Sequence, residues 1–220
     1  MSNHPAGDNA GYTARSEYLA EDVAQNYVRN RFSGALGKYR YRREQRAVNK
    51  LLGQLPADQI SAVLDCPTGI GRWIPNLAAV SPQRIVGVDV SPTMLKRARE
   101  VRIAGVSLEF QEGVAESLPF EAGEFDLVFC HALLKHLPEA AQLEVLRELA
   151  RVSGKYVLVA ASVRRGPAGI IRQFRQAKGA VAVKQDWFEK AAASNGLSVI
   201  SSRKATTPLG VEYSYLLRKA

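Results

Sequence analysis

Val63-Leu64-Asp65-Cys66-Pro67-Thr68-Gly69-Ile70-Gly71-Arg72 is the stretch that decides the fold. A short apolar run closes on an acid, glycines follow at 69 and 71, and a stretch of helical character starts at Trp73. This pattern is a strand feeding a tight turn that opens a helix, and glycine, with no Cβ, lets a ligand approach the main chain. The next apolar run, residues 84–90, carries Asp89, which lies 24 residues after Asp65. An acid there can accept hydrogen bonds from both ribose hydroxyls of an adenosine. A dinucleotide fingerprint G-x-G-x-x-G would need a third glycine at position 74, where Ile74 stands. The turn therefore reads as an adenosine site without a pyrophosphate, not as that of a nicotinamide dehydrogenase.

Downstream, Ser91-Pro92 is an N-cap followed by proline at the first helical position. Met94, Leu95, Ala98 and Val101 mark one face of the helix it starts. Residues 106–110 and 125–130 read as the third and fourth strands, and residues 155–161 as the fifth. Residues 139–152 read as a helix with Leu143, Leu146 and Leu149 inward. Strands alternating with helices of this length predict parallel βαβ units. The expected fold is α/β: a Rossmann-like, seven-stranded, mostly parallel sheet with helices on both faces and an antiparallel C-terminal strand. Residues 163–185, rich in Gly and Arg, read as an insertion on the substrate side. A helix over 186–195 with Gly196 at its end follows, then strands at 197–201 and 212–218 that close the sheet as an antiparallel pair. Upstream, residues 1–15 read as a disordered tail. Residues 16–56 read as a helical cap, with helices at 17–31 and 38–55 joined through Ser33-Gly34 and Gly37; residues 57–220 form the core domain.

The 220 residues suit one core, and 46% apolar with 23% charged residues is an ordinary folded composition. No apolar run approaches the ~20 residues of a membrane span, and the first residues lack a hydrophobic signal core, so a cytoplasmic location is expected. Cys66 and Cys130 sit inside apolar runs and read as buried thiols; neither a disulfide nor a metal site is expected. The net charge of +9 favours anionic partners, whether nucleic acid, phosphorylated metabolites or a membrane surface, without choosing among them.

From Ser61 to Ser162 the chain resembles the class I S-adenosylmethionine (SAM)-dependent methyltransferases, of the small-molecule type that includes the quinone C-methyltransferases. Residues 64–71 are similar to the family's glycine motif, with Pro67 in place of its first glycine. Val86-Gly87-Val88-Asp89-Val90-Ser91-Pro92-Thr93-Met94-Leu95 resembles the ribose-binding strand and the helix after it. Gly113-Val114-Ala115-Glu116-Ser117-Leu118-Pro119-Phe120 resembles the adenine-side motif. Phe125-Asp126-Leu127-Val128, Leu134-Lys135-His136-Leu137 and Leu146-Arg147-Glu148-Leu149-Ala150-Arg151-Val152 resemble the fourth strand, its exit loop and the helix before strand five. Two departures stand out. Val114 replaces the family's usual Asp, which accepts from the adenine amino group, and the Gly-Gly turn before strand five is reduced to Ser153-Gly154-Lys155.

The resemblance implies SAM as cofactor and S-adenosylhomocysteine (SAH) as product. It places Asp65, Pro67, Gly69 and Gly71 at the amino-acid end of SAM and Asp89 and Val90 at the ribose. Met94, Val114 and Ala115 fall around the adenine, and Cys130 beneath the methyl group. His131 and His136 are the candidate general bases, because histidine titrates near neutrality. Arg172 and Arg175 are candidate anchors for an anionic acceptor, and Tyr27 a candidate acceptor contact. The expected reaction is methyl transfer to a small-molecule or lipid- or sugar-linked, anionic acceptor. Peripheral membrane contact is compatible with that reading. The rival readings are an RNA methyltransferase, with nucleic acid as the less favoured partner, and a non-catalytic SAM-binding regulatory or scaffold protein.

Overall fold

The computed structural model describes residues 34–165, 181–205 and 211–220. The tail at 1–15, the helix at 17–31, Tyr27, Arg172, Arg175 and most of the 163–185 insertion lie outside the described residues. The sheet contains β1 (Ala62–Asp65), β2 (Arg84–Asp89), β3 (Ser107–Glu112), β4 (Phe125–Cys130), β5 (Ser153–Arg164), β6 (Val183–Lys184), β7 (Leu197–Lys204) and β8 (Glu212–Lys219). Its order is β3-β2-β1-β4-β5-β8-β7, with β6 beside β5 off that path. β1 to β5 pair in parallel, and β8 runs antiparallel to both β5 and β7.

The central strands are apolar along both faces because both faces are covered. Val63, Ile85, Leu127, Leu158 and Leu216 point to one side, where they pack with Val48, Leu51 and Leu52 of α1 (Gly34–Leu52) and Ile74 and Leu77 of α2 (Ile74–Leu77). Leu64, Val86, Val128, Val157 and Leu217 point to the other. There they meet Leu146 and Leu149 of α4 (Glu139–Val152) and Phe188 and Ala192 of α5 (Gln185–Ser194). Truncating a buried leucine in either layer to alanine costs about 2–5 kcal/mol. α3 (Pro92–Ala98) packs against β2 and β3 and is capped as expected, with the Ser91 side chain accepting from the Met94 amide. Because α1 shares the core of the sheet, the cap and the core expected as separate pieces meet in one apolar cluster.

Several boundaries differ from expectation. α1 starts at Gly34 and runs through Gly37, then stops at Leu52, where the Gly53 amide closes the last turn on Asn49 O. The helix expected from Trp73 to Val80 is α2 followed by a 3₁₀ turn, Ala78–Val80, which ends at Ser81 with φ 54°. β5 extends to Arg164 because β8 supplies partners as far as Ser162↔Glu212 and β6 pairs with Val163 and Arg164. Leu143, expected inward, is 40% exposed. The buried stripe of α4 runs through Gln142, Val145, Leu146 and Leu149, and Leu143 falls off it.

Strand order reverses between β1 and β4, since β1 continues to β2 on one side while β4 continues to β5 on the other. Such a switch point opens a crevice at the carboxyl ends of the strands. Among the described residues no helix is long and apolar enough to cross a membrane.

Candidate functional site

An open cleft of about 980 Å³ occupies that crevice. It is lined by residues 66–70 after β1, Arg72 and Trp73 at the start of α2, Asp89, Val90 and Met94 around the end of β2, residues 113–116 after β3, and His131, Ala132, Leu133 and His136 after β4.

Asp89 ends β2 and is almost wholly buried. Its Oδ2 accepts the Gly69 amide at 2.8 Å and its Oδ1 the Ser91 amide at 2.9 Å. Burial pushes its carboxyl upward, against the pull of these amides. Each oxygen keeps a second lone pair, so the group can still receive two hydroxyls from the cleft.

The two glycines of the turn serve different ends. Gly69 has φ 56°, and a Cβ placed there would meet no protein atom within 4 Å, so its open side belongs to the cleft. Gly71 has φ 75°, but a Cβ there would lie 3.0 Å from Val101 Cγ2 and 3.3 Å from Ala98 Cα. Gly71 lets the turn pack on the segment after β2 and is not a wall of the cleft. Asp65 is also behind the cleft. It is fully buried, its Oδ2 accepts from Thr68 Oγ1 at 2.8 Å, and its Oδ1 has no partner among the described residues. Burial raises its carboxyl to about 7. Cys66 touches the cleft and Cys130 does not; burial pushes both thiols up, so both stay protonated.

The loop after β3 is held from behind. Glu148 accepts the Leu118 amide at 2.7 Å, and Arg151 both pairs with Glu148 and donates to the Leu118 and Phe120 carbonyls. The bond from Arg151 keeps the Glu148 carboxyl below the usual carboxylate range. Val114 gives its carbonyl to the Ser117 amide, and Glu116 faces the cleft.

The remaining wall is built around Arg72. Its guanidinium lies 3.1 Å from His131 Nδ1 and 3.3 Å from Glu44 of α1, and it stacks over Trp73 at 4.6 Å and Tyr41 at 5.6 Å. Beyond His131 a void with room for about one water lies between β4 and β5, lined by Glu44, Lys135, Ser162 and Glu212 among others. Lys135 and Glu212 form an ion pair across it.

Residues 63–155 match the family described as "Methyltransferase domain". The matched stretch carries the likeness to methyltransferases and takes up less than half of the chain. The methyltransferase match is carried by partial similarity to curated proteins. The chain is 37% identical over 95 residues to demethylmenaquinone methyltransferase of Lactococcus lactis, covering 41% of this chain and 37% of that protein. It is 32% identical over 117 residues to the chloroplastic tocopherol O-methyltransferase of Arabidopsis thaliana, covering 50% and 33%. The chain thus spans well under half the length of these relatives. At the level of fold the likeness is nearly complete. Magnesium protoporphyrin IX methyltransferase of Synechocystis PCC 6803, solved with SAH, superposes with a TM-score of 0.76 at 17% identity, covering 94% of this chain and 99% of that one.

Of the methyltransferase positions expected from sequence, the structure gathers Pro67, Gly69, Asp89, Val90, Met94, Val114, Ala115, His131 and His136 on one cleft. It sets Asp65, Gly71 and Cys130 behind it. Sequence reasoning missed Glu44, Thr68, Arg72 and Trp73 as site residues; Glu116, which the sequence offered as a substitute for the adenine-binding Asp, lines the cleft. Arg72 carried one signal: a basic side chain directly after the glycine turn, at the positive end of a starting helix. Arg165, grouped by sequence with the substrate-side arginines, is instead stacked on Tyr213 at 4.4 Å and donates to Tyr215 Oη at 2.9 Å.

Proposed function

We propose that this chain transfers a methyl group from SAM to a small-molecule acceptor. The observation that carries the proposal is the pairing of Asp89 with Gly69. A buried carboxylate is turned toward the cleft by two backbone amides, beside a glycine whose missing Cβ leaves room for a ligand. Asp89 receives the ribose hydroxyls, the 66–70 loop receives the amino-acid end, and Met94, Val114 and Ala115 flank the adenine, with Glu116 beside them. SAM supplies an activated methyl group on a sulfonium sulfur. The chain's own work is to hold donor and acceptor in line and keep water out, which accounts for much of the rate of such reactions. Trp73, Leu133 and Met94 form the apolar walls that do this.

His136 lines the cleft and is the candidate base. Arg172, Arg175 and Tyr27 remain our proposed acceptor contacts; Arg172→Glu with Arg175→Glu should leave SAM affinity intact and abolish acceptor binding. Calorimetry with SAM and SAH tests the proposal as a whole. Micromolar binding is expected, and absence of binding overturns it. Copurifying nucleic acid bound with steep salt dependence would instead favour an RNA acceptor.

A further inference from the structure

Asp89 and Glu116 are the carboxylates that line the cleft, and they are held in opposite ways. Asp89 is tied to the Gly69 and Ser91 amides. Glu116 is half-buried, and among the described residues no hydrogen bond or ion pair engages its carboxylate. Arg72 is the one lysine or arginine among the described residues on the cleft, and it is paired with Glu44. The loop that carries Glu116 leaves β3 but does not stay at that edge of the sheet. The Leu118 amide is fixed to Glu148 of α4, and Ala115 and Leu118 are buried in the same layer as Cys66 and Cys130. Cys66 follows β1 and Cys130 ends β4, the two strands between which the order reverses. Burial raises both of these thiols, and the Glu116 charge raises each further. The carboxylate therefore bears on the middle of the cleft, above the ends of β1 and β4, and not only on the side where Val114 lies.

We infer that Glu116 is a specificity-determining residue whose carboxylate faces the sulfonium of SAM and tilts the cleft toward the cationic donor and away from the neutral product. The inference rests on the methyltransferase reading, and it departs from the role toward the adenine amine that the place of Glu116 beside Val114 suggests. SAM and SAH share adenine, ribose and the amino-acid end. They differ by one methyl group and one positive charge. When the methyl leaves, its bonding pair stays on sulfur and that charge is gone. A carboxylate in a partly enclosed cleft attracts a cation more strongly than it would in water, and a thioether gives it no charge to attract. The attraction is thus present when the donor loads and absent when the product leaves. An acceptor for the adenine amine would act on SAM and SAH alike.

Calorimetry on the full chain with SAM, SAH and sinefungin, which carries a charged amine in place of the sulfonium, tests this. Glu116→Gln keeps the side chain's shape and removes its charge. It should weaken SAM and sinefungin roughly three- to tenfold and leave SAH within about twofold of the wild type. Glu116→Asp keeps the charge on a shorter arm and should retain part of the wild-type ratio of SAM to SAH affinity. Because the carboxylate holds no partner in the fold, differential scanning fluorimetry of ligand-free Glu116→Gln should give the wild-type Tm. Equal losses for SAM and SAH would overturn the inference and return Glu116 to the adenine amine. Unchanged affinities for all the ligands, or a Glu116→Gln protein too unstable to bind any of them, would overturn it as well. Wild-type protein that binds neither SAM nor SAH would remove the methyltransferase reading, and the inference with it, whereas the outcomes seen only in the variants leave that reading standing.

Discussion

Asp89→Asn preserves the side chain's shape and removes its charge. In the wild type both oxygens are engaged, Oδ2 by Gly69 N–H at 2.8 Å and Oδ1 by Ser91 N–H at 2.9 Å. Whichever way the new amide turns, its NH₂ meets one of those donors. One hydrogen bond is lost and one buried N–H is left unsatisfied, which costs about 1–3 kcal/mol of stability. For a chain of this size that lowers Tm by roughly 2–12 °C. The cost in binding is separate. The ribose hydroxyls exchange a charged acceptor for a neutral one with half the acceptor capacity, a loss of about 1.5–3 kcal/mol, or roughly 10–150-fold in Kd. Differential scanning fluorimetry of the ligand-free protein reads the first quantity, and calorimetry with SAH the second. A fall in Tm with unchanged Kd would refute the reasoning, because Asp89 would then be an anchor of the glycine loop and nothing more.

Gly71→Ala should destabilise the protein by about 2–5 kcal/mol, since φ 75° is strained for alanine and its Cβ would press on Val101 and Ala98; urea titration measures this. Gly69→Ala should cost only about 1–2 kcal/mol of stability but weaken SAH binding at least tenfold, because its Cβ meets ligand, not protein. Asp65→Asn should change the pH dependence of stability. The native carboxyl is raised from 3.8 to about 7 by burial, so the folded state binds the proton more tightly than the unfolded chain, and wild-type stability falls as pH rises through that interval. Between pH 5 and 7 the wild type should lose about 2–3 kcal/mol relative to the Asn variant, and parallel curves would exclude the assignment. Val114→Asp should raise the preference for SAM over its purine-riboside analogue without the amino group; an unchanged ratio would remove Val114 from the adenine edge.

Elements whose ends are marked by local chemistry were legible in the sequence. β4 and α4 begin and end at the expected residues, and Ser91 caps α3, because Gly123, Pro138 and the Ser-Pro pair act on their immediate neighbours. What depends on a distant partner was not. The end of β5 exists because β8 pairs with it as far as Ser162 and β6 with Val163 and Arg164 beyond. The same distinction divides the site. Asp89 and Gly69 belong to local motifs and were found. The Glu44–Arg72–His131 contact joins residues 28 and 59 positions apart, one on α1 and two in loops after β1 and β4, and no periodicity announces it. The glycine turn also shows that a motif can name residues without their reasons, since Gly71 is required by packing whereas Gly69 borders the open cleft.

The insertion of β8 between β5 and β7 has a consequence in time. β7 is synthesised first, yet among the described residues its one sheet neighbour is β8, so it must wait as an unpaired segment until the following strand leaves the ribosome. Meanwhile β5 presents an open edge along its whole inner half, with Val157 and Leu158 among the residues awaiting partners. An open apolar edge is the part of a nascent chain most prone to pair with the wrong neighbour. During translation this protein is therefore most exposed to misassembly in the interval between the emergence of β5 and that of β8, and a pause placed there by slow codons should lower its soluble yield.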